Sequence, residues 1–465
     1  MKPEDARRER SPSPAPGETA PHPAQASDLW ETFLSRGNLA RALRRVEQNA
    51  GAPGIDGMRT KELRPWLHRH WPRVFAQLDA GTYRPQPVRR VTIPKPSGGE
   101  RDLGVPTALD RLIQQALLQV LTPVFDPHFS DWSFGFRPGR SAHQAVEAAR
   151  RHIAAGFEWA VDVDLDAFFN RVGHDTLMAR VARRVHDRRV LRLIRRYLDA
   201  GVMADGIRQE VEEGTPQGSP LSPLLSNVML DDLDRELERR SHRFVRYADD
   251  VMVYVRSERA GQRVMVSITQ FVERRLKLRV NRPKSAVDRG TKRTLLGFGF
   301  FRREGEVKVR VDPKARQRVK DRLRKITSRR WGVSMERRIR ELNRLTVGWT
   351  AYFALADTPR PFSDLDEWLR RRLRQVRWKE WKRTHTKRRN LIALGIPEQK
   401  AREWAGSRKR YWRISGSAPL QRALPNAYWA DHGLKGFSDP YRRFRDATRT
   451  AGCGPARPVV WEGPG

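Results

Sequence analysis

An α+β fold is predicted by three features of the chain. Residues 157–165 alternate, with Phe157, Trp159, Val161, Val163 and Leu165 on one side and Glu158, Ala160, Asp162 and Asp164 on the other. That is the period of a half-buried strand with an acidic face. Two apolar runs, Phe244–Val245 and Val251 to Val255, bracket Tyr247-Ala248-Asp249-Asp250 and read as strand, tight turn, strand. Helical spacing recurs around them, in Leu29 to Val46, Asp110 to Leu121, Leu221 to Leu233 and Leu342 to Phe353. Strands interspersed with helices over residues 88–302 make one mixed unit.

Taken in order, residues 1–27 hold six prolines, four basic and four acidic residues and almost nothing large and apolar, the composition of a disordered leader. From Asp28 an amphipathic helix is expected to carry Leu29, Trp30, Phe33, Leu34, Leu39, Leu43 and Val46, followed by the glycine-punctuated loop 49–57. Two short β-prone runs between Val88 and Val105 flank a hairpin-like turn, Pro94-Lys95-Pro96-Ser97-Gly98-Gly99-Glu100. Beyond residue 302 the composition changes. Residues 301–345 carry 17 Lys+Arg against 6 Asp+Glu, residues 370–413 carry 17 against 3, and nine of the 14 tryptophans lie past 302. Basic helices around small aromatic cores are expected there.

A chain of 465 residues suggests about three packed units at roughly 150 residues each. The excess of 92 Lys+Arg over 54 Asp+Glu gives +38, a field that selects a polyanion as partner. With 38% hydrophobic residues, 14 Trp and 18 Phe, the chain is not a basic disordered tail. Cys453 is the only cysteine, which excludes an intramolecular disulfide and a Cys-based zinc site. There is neither a long apolar run nor an apolar signal core, so no membrane partner is expected and the cytoplasm is the default location.

Adjacent Asp249 and Asp250 in a turn repel each other, and a divalent cation would relieve the repulsion. If the acidic strand lies beside the hairpin, Asp164 converges on them. Carboxylate oxygens with open positions for water and phosphate are what magnesium prefers, and two such ions activate an attacking hydroxyl and stabilise a leaving oxygen in phosphoryl transfer. The plain alternative is a solvated acidic turn.

The string Tyr247-Ala248-Asp249-Asp250 resembles the active-site signature of reverse transcriptases. Six further segments resemble, in order, blocks of the group II intron reverse transcriptase/maturases: Gly54-Ile55-Asp56-Gly57; Ile93-Pro94-Lys95 with Arg101-Asp102-Leu103-Gly104-Val105-Pro106; Ser133-Phe134-Gly135-Phe136-Arg137-Pro138-Gly139; Asp162-Val163-Asp164-Leu165 with Phe168-Phe169; Gly214-Thr215-Pro216-Gln217-Gly218; and Leu296-Gly297-Phe298. Leu342-Asn343-Arg344, Gly348-Trp349 and Tyr352-Phe353 are similar to the maturase segment. The likeness runs over about residues 28–445. Many relatives have Asp where this chain has Asn170, which puts local hydrogen bonding there in question. An HNH endonuclease, Cys-rich in relatives, is not expected with one cysteine.

The resemblance implies a right-hand polymerase with fingers, an antiparallel palm, a helical thumb and a basic helical extension. The expected division is leader 1–27, N-terminal extension 28–86, fingers and palm 87–302, thumb 303–395, nucleic-acid-binding extension 396–445 and tail 446–465. It implies two Mg²⁺ ions, with Mn²⁺ as a substitute, on Asp164, Asp249, Asp250 and the Leu165 carbonyl. Phe169 is expected as a gate against the ribose 2′-hydroxyl, Lys95 and Arg101 as a grip on the incoming dNTP, Gln217 as a support for the nascent pair, and Lys284 as a proton donor to pyrophosphate or a phosphate contact. Arg137, Arg344, Trp349, Arg377, Lys382, Arg388 and Arg410 are expected nucleic-acid contacts. Trp378, Trp381, Trp404 and Trp412 either stack bases or fill a core, and helical spacing favours the core for most. Implied partners are intron RNA, an RNA template with a DNA primer or target DNA, and dNTPs. The implied activity is RNA-directed DNA polymerisation with assistance to splicing and retrohoming. The alternatives are a domesticated reverse transcriptase in defence, CRISPR adaptation or DNA repair, and a non-catalytic RNA-binding splicing factor.

Overall fold

The computed structural model describes residues 29–94, 100–204, 207–209, 214 and 218–450. The leader 1–27, Lys95, Gln217 and Cys453 lie outside them. The expected first helix is two: Leu29–Leu34 and Arg36–Asn49, parted at Ser35, whose hydroxyl accepts the Asn38 N–H and restarts the helix. Their apolar faces, with Trp30, Phe33, Ala42 and Val46, bury against the helix Ala108–Phe125.

The described strands are, in chain order, β1 (Val88–Pro94), β2 (Glu100–Val105), β3 (Trp159–Val163), β4 (Val202–Ala204), β5 (Ile207–Gln209), β6 (Arg243–Tyr247), β7 (Asp250–Val255), β8 (Ala286–Arg289), β9 (Thr294–Leu295), β10 (Phe298–Arg303) and β11 (Glu306–Val311). They form three sheets, ordered β2-β1-β4-β5, β6-β7-β3-β8 and β11-β10-β9. The expected β1–β2 hairpin forms, Arg89 opposite Val105 through Pro94 opposite Glu100. At its base Asp110 is buried and accepts from Tyr83 Oη (2.7 Å), Thr107 Oγ1 (2.7 Å), Tyr197 Oη (3.2 Å) and the Gln86 N–H (3.2 Å).

The middle sheet divides two cores, and strand alternation assigns its faces. Val161, Val163, Phe244, Val251 and Val253 face the core that also holds the helices Ser222–Arg239 and Glu258–Phe271. Ala160, Val245, Met252 and Tyr254 face the other, with the helix Ala142–Ala154, β10, β11 and the C-terminal helices. Phe157, expected on the valine side, packs with this second core because it precedes the strand.

Helices Pro313–Ile326, Met335–Phe353 and Arg360–Glu380 follow. Residues past 395 share their core through Ile396, Ile414, Leu424, Trp429 and Phe437, so the expected boundary at 395 does not separate two cores. Asp366 ties the last helix down by accepting the N–H groups of Phe437 (2.7 Å) and Ser438 (2.9 Å). Among the described residues no helix is long and apolar enough to cross a membrane.

Candidate active site

Register brings the three expected carboxylates to one end of the middle sheet. β3 and β7 run antiparallel with Asp162 opposite Met252 and Val163 opposite Val251, so the next step along each strand sets Asp164 against Asp250. β6 and β7 close a hairpin in which Tyr247 opposes Asp250, leaving Ala248 and Asp249 as the turn. Ala248 takes a left-handed φ of 57°.

Asp164 is pinned from the other side. Its N–H donates to Ser285 Oγ at 3.0 Å, its carbonyl accepts the Asn281 N–H at 2.8 Å, and the Asp166 N–H donates to the Arg279 carbonyl at 2.9 Å. Leu165 thereby opposes Val280 in an antiparallel bridge that draws on its neighbours' backbone groups and leaves the Leu165 carbonyl turned away from that strand.

Charge crowds here. Withdrawal from water, then the charges of Asp249, Asp162 and Asp164, push Asp250 up to about 7, although the residue keeps an exposed surface. Asp249 is raised by burial and by Asp164, and lowered by a hydrogen bond to its own backbone and by the Arg246 charge. Asp162 is raised by burial against the pull of Arg293, which forms an ion pair with it. That pairing gives Asp162 a structural partner and sets it apart from Asp164, Asp249 and Asp250. Among the described residues no three acidic, histidine or cysteine side chains form a ready-made metal cage. Magnesium seldom needs one, because it binds through one or two carboxylates together with waters and substrate phosphates. The fit rests on this set of hard oxygen donors on adjacent backbone positions.

Other expected residues scatter more. Phe169 is half-buried in the short 3₁₀ turn Phe168–Asn170, edge-on to the buried Phe168 at 5.2 Å. Gly214 crosses behind it at φ 105°, where a Cβ would lie 3.0 Å from the Phe169 carbonyl oxygen. Lys284 is exposed in the turn 281–285 that pins Asp164. Arg101 pairs with Ile93 across the hairpin, while Lys95 and Gln217 fall outside the described residues.

Among the expected nucleic-acid contacts, three need correcting. Arg137 is spent inside the protein, donating to Asp126 and to the carbonyls of Asp126, Ser130 and Ser133, with a side chain only 5% exposed. Trp349 is core, against Phe353, Phe362 and Phe437. Arg377 is largely covered, paired with Glu380 and lying over Tyr428. Arg344, Lys382 and Arg410 are exposed, and Arg388 is half-exposed and paired with Glu398. Trp378 and Trp381 are buried, Trp404 is half-buried, and Trp412 is exposed beneath Arg371 at 4.1 Å.

Sequence reasoning missed the supports of the turn: Arg246, Asn227, Asp234 and Gly135. A signal existed, for Arg246 interrupts an apolar strand on its inward side, and Asn227 and Asp234 recur seven residues apart within an otherwise apolar helix face.

Residues 93–300 match the family described as reverse transcriptase (RNA-dependent DNA polymerase), and residues 316–393 match the group II intron, maturase-specific domain. Protein YkfC of Escherichia coli (strain K12) is 32% identical over 289 residues, covering 54% of this chain and 76% of that one. Group II intron-encoded protein LtrA of Lactococcus lactis subsp. cremoris is 29% identical over 312 residues, covering 51% of this chain and 52% of that one. Nuclear intron maturase 2, mitochondrial, of Arabidopsis thaliana is 29% identical over 203 residues, covering 35% and 28%. The chain thus spans about half of LtrA and three quarters of YkfC. With an antiparallel palm followed by a maturase domain packed onto that palm's second face, the chain belongs to the reverse transcriptase/maturase family of group II introns.

Proposed function

We propose that this reverse transcriptase copies RNA into DNA from dNTPs at Asp164, Asp249 and Asp250, and that it holds group II intron RNA to assist splicing and target-primed retrohoming. The observation that carries the reading is the register that sets Asp164 against Asp250 beside Asp249. Three carboxylates repelling one another are costly in a pure binding protein, which favours catalysis over the non-catalytic splicing factor.

Asp164, Asp249, Asp250 and the Leu165 carbonyl would hold two Mg²⁺ ions, whose chemistry is to ease deprotonation of the primer 3′-hydroxyl and to offset charge on the leaving oxygen. The protein's own groups do the rest. Lys95 and Arg101 grip the triphosphate by charge and forked hydrogen bonds. Phe169 closes the space beside the sugar, and Gln217 backs the nascent pair. Lys284 gives a proton to departing pyrophosphate. Exposed Arg344, Lys382, Arg388 and Arg410 track phosphates.

Extension of a DNA primer on an RNA template, with and without chelation of divalent ions, tests the reading. Template-directed dNTP addition that stops on chelation supports it. Intron RNA bound tightly with no extension on any primed template would favour the splicing-factor alternative.

A further inference from the structure

Beneath the Tyr247–Asp250 turn lies a buried polar cluster that the chemistry above does not use. β6 sets Arg246 on the inward side with Phe244, and its side chain is fully buried. The guanidinium meets three acceptors at once. Nε and Nη2 donate to the two oxygens of the equally buried Asp234 at 2.7 and 2.6 Å, while Nη1 donates to Asn227 Oδ1 at 2.8 Å and to the Ala248 carbonyl at 3.0 Å. Asn227 donates in turn from Nδ2 to the Gly135 carbonyl at 2.9 Å. Gly135 presses so closely on the turn that a Cβ there would lie 2.2 Å from the Ala248 nitrogen. Backbone bonds clamp the same place, Arg246 N–H to the Trp132 carbonyl and Phe134 N–H to the Arg246 carbonyl, both at 2.9 Å. The contacts close a ring from Ala248 through Arg246, Asn227 and Gly135 back to Ala248.

The turn needs such a ring. Ala248 holds a left-handed φ that L residues adopt at a cost, and the turn has no glycine to make that conformation easy. Two like-charged side chains, Asp249 and Asp250, also stand side by side at its tip. Arginine's planar fork can serve Asp234, Asn227 and Ala248 together, which an ammonium cannot. A buried ion pair is weak evidence of a purely stabilising role, since apolar packing often does as well.

We propose that Arg246, held by Asp234 and Asn227, is a positioning residue that fixes the Ala248 turn and with it the placement of Asp249 and Asp250 relative to Asp164 during nucleotide addition. The inference rests on the polymerase reading and deepens it.

The test measures addition of one dNTP to a DNA primer on an RNA template by the full chain as Mg²⁺ is varied. Affinity for the same duplex is measured in EDTA, and folding is checked by thermal unfolding. Arg246→Lys keeps a charge opposite Asp234 but frees the Ala248 carbonyl. Asn227→Ala leaves the Arg246–Asp234 pair intact and carries the test if the lysine variant does not fold. In folded variants kcat is expected to fall about tenfold or more and the half-activating Mg²⁺ concentration to rise about threefold, as small misplacements of reacting groups do. The KM for dNTP and the duplex affinity stay within about twofold, because both side chains are fully buried, out of reach of a bound duplex. Wild-type rate and Mg²⁺ midpoint in a folded variant would overturn the proposal. So would a duplex affinity that falls in step with the rate, the mark of general loosening. A wild-type chain that extends no primer overturns the polymerase reading itself, a failure seen before any variant is compared.

Discussion

Asp164, Asp249 and Asp250 are each held by a different element, and that is why they can be separated by substitution. Asp249 sits in the turn and takes no part in the β3–β7 ladder, so its carboxylate can be removed without breaking the sheet. Asp249→Ala is expected to lower primer extension about 10³-fold or more, roughly 4 kcal/mol of barrier, with RNA affinity unchanged in a filter-binding assay. Residual extension near the wild-type rate would remove the metal assignment. Phe169 packs on Phe168 by its edge and stays half-buried, so truncation opens space without emptying the main core. Phe169→Ala should reduce discrimination against rNTPs about 10- to 100-fold, measured as the ratio of kcat/KM values for dNTP and rNTP.

At the scale of elements, buried polar groups tie helices to sheets. Asp110 joins the start of the helix Ala108–Phe125 to Tyr83 and Tyr197, and burial raises its pKa against four hydrogen bonds. Asp110→Ala leaves those donors without an acceptor and is expected to cost about 3–5 kcal/mol, with Asp110→Asn costing less, read from urea midpoints. His152, in the helix Ala142–Ala154, lies between the rings of Trp132 and Tyr254 at 4.8 and 5.6 Å. Burial, aided by Arg243 and Arg151, pushes it down to about 4. The unfolded chain takes up that proton near 6.5, before the folded one, so the stability this histidine contributes is present above pH 6.5 and lost as pH falls toward 4. His152→Phe should therefore flatten the pH dependence of unfolding across that window. An unchanged slope would show that the ring is not held neutral.

Across the whole molecule, the two cores meet at the middle sheet, and the acidic face lies on the side shared with the maturase helices. The Tyr352 hydroxyl, in the helix Met335–Phe353, donates to the Leu296 carbonyl at 2.9 Å and feels the charge of Asp250, so the maturase domain reaches the edge of the polymerase site. The +38 charge belongs to this scale too. Log affinity for RNA is expected to fall linearly with log salt, and replacing exposed Arg344, Lys382 and Arg410 with glutamine should reduce the slope by about one for each phosphate no longer neutralised. Replacing the interior Arg137 should leave the slope as it was and instead lower the melting temperature, since its donors hold three carbonyls of the segment 126–134, which bonds to β6 through Trp132 and Phe134.

The chain's local chemistry already contained the acidic strand, the hairpin with its paired aspartates, the β1 and β2 strands and the basic C-terminal half, because alternation, helical spacing and net charge are properties of neighbours in sequence. It could not separate Arg137 from Arg344, or Trp349 from Trp412, since an arginine or tryptophan reads alike whether it ends in solvent or against carbonyls and rings from distant segments. The first helix broke where Ser35 offered a cap, a competition decided by packing on the helix Ala108–Phe125. The ring around Ala248 joins residues 135, 227, 234 and 246, and only folding could bring them together. Sequence specified which groups can react, and tertiary contact determined which of them are free to do so, because desolvation and hydrogen-bond partners depend on what lies across the fold rather than along the chain.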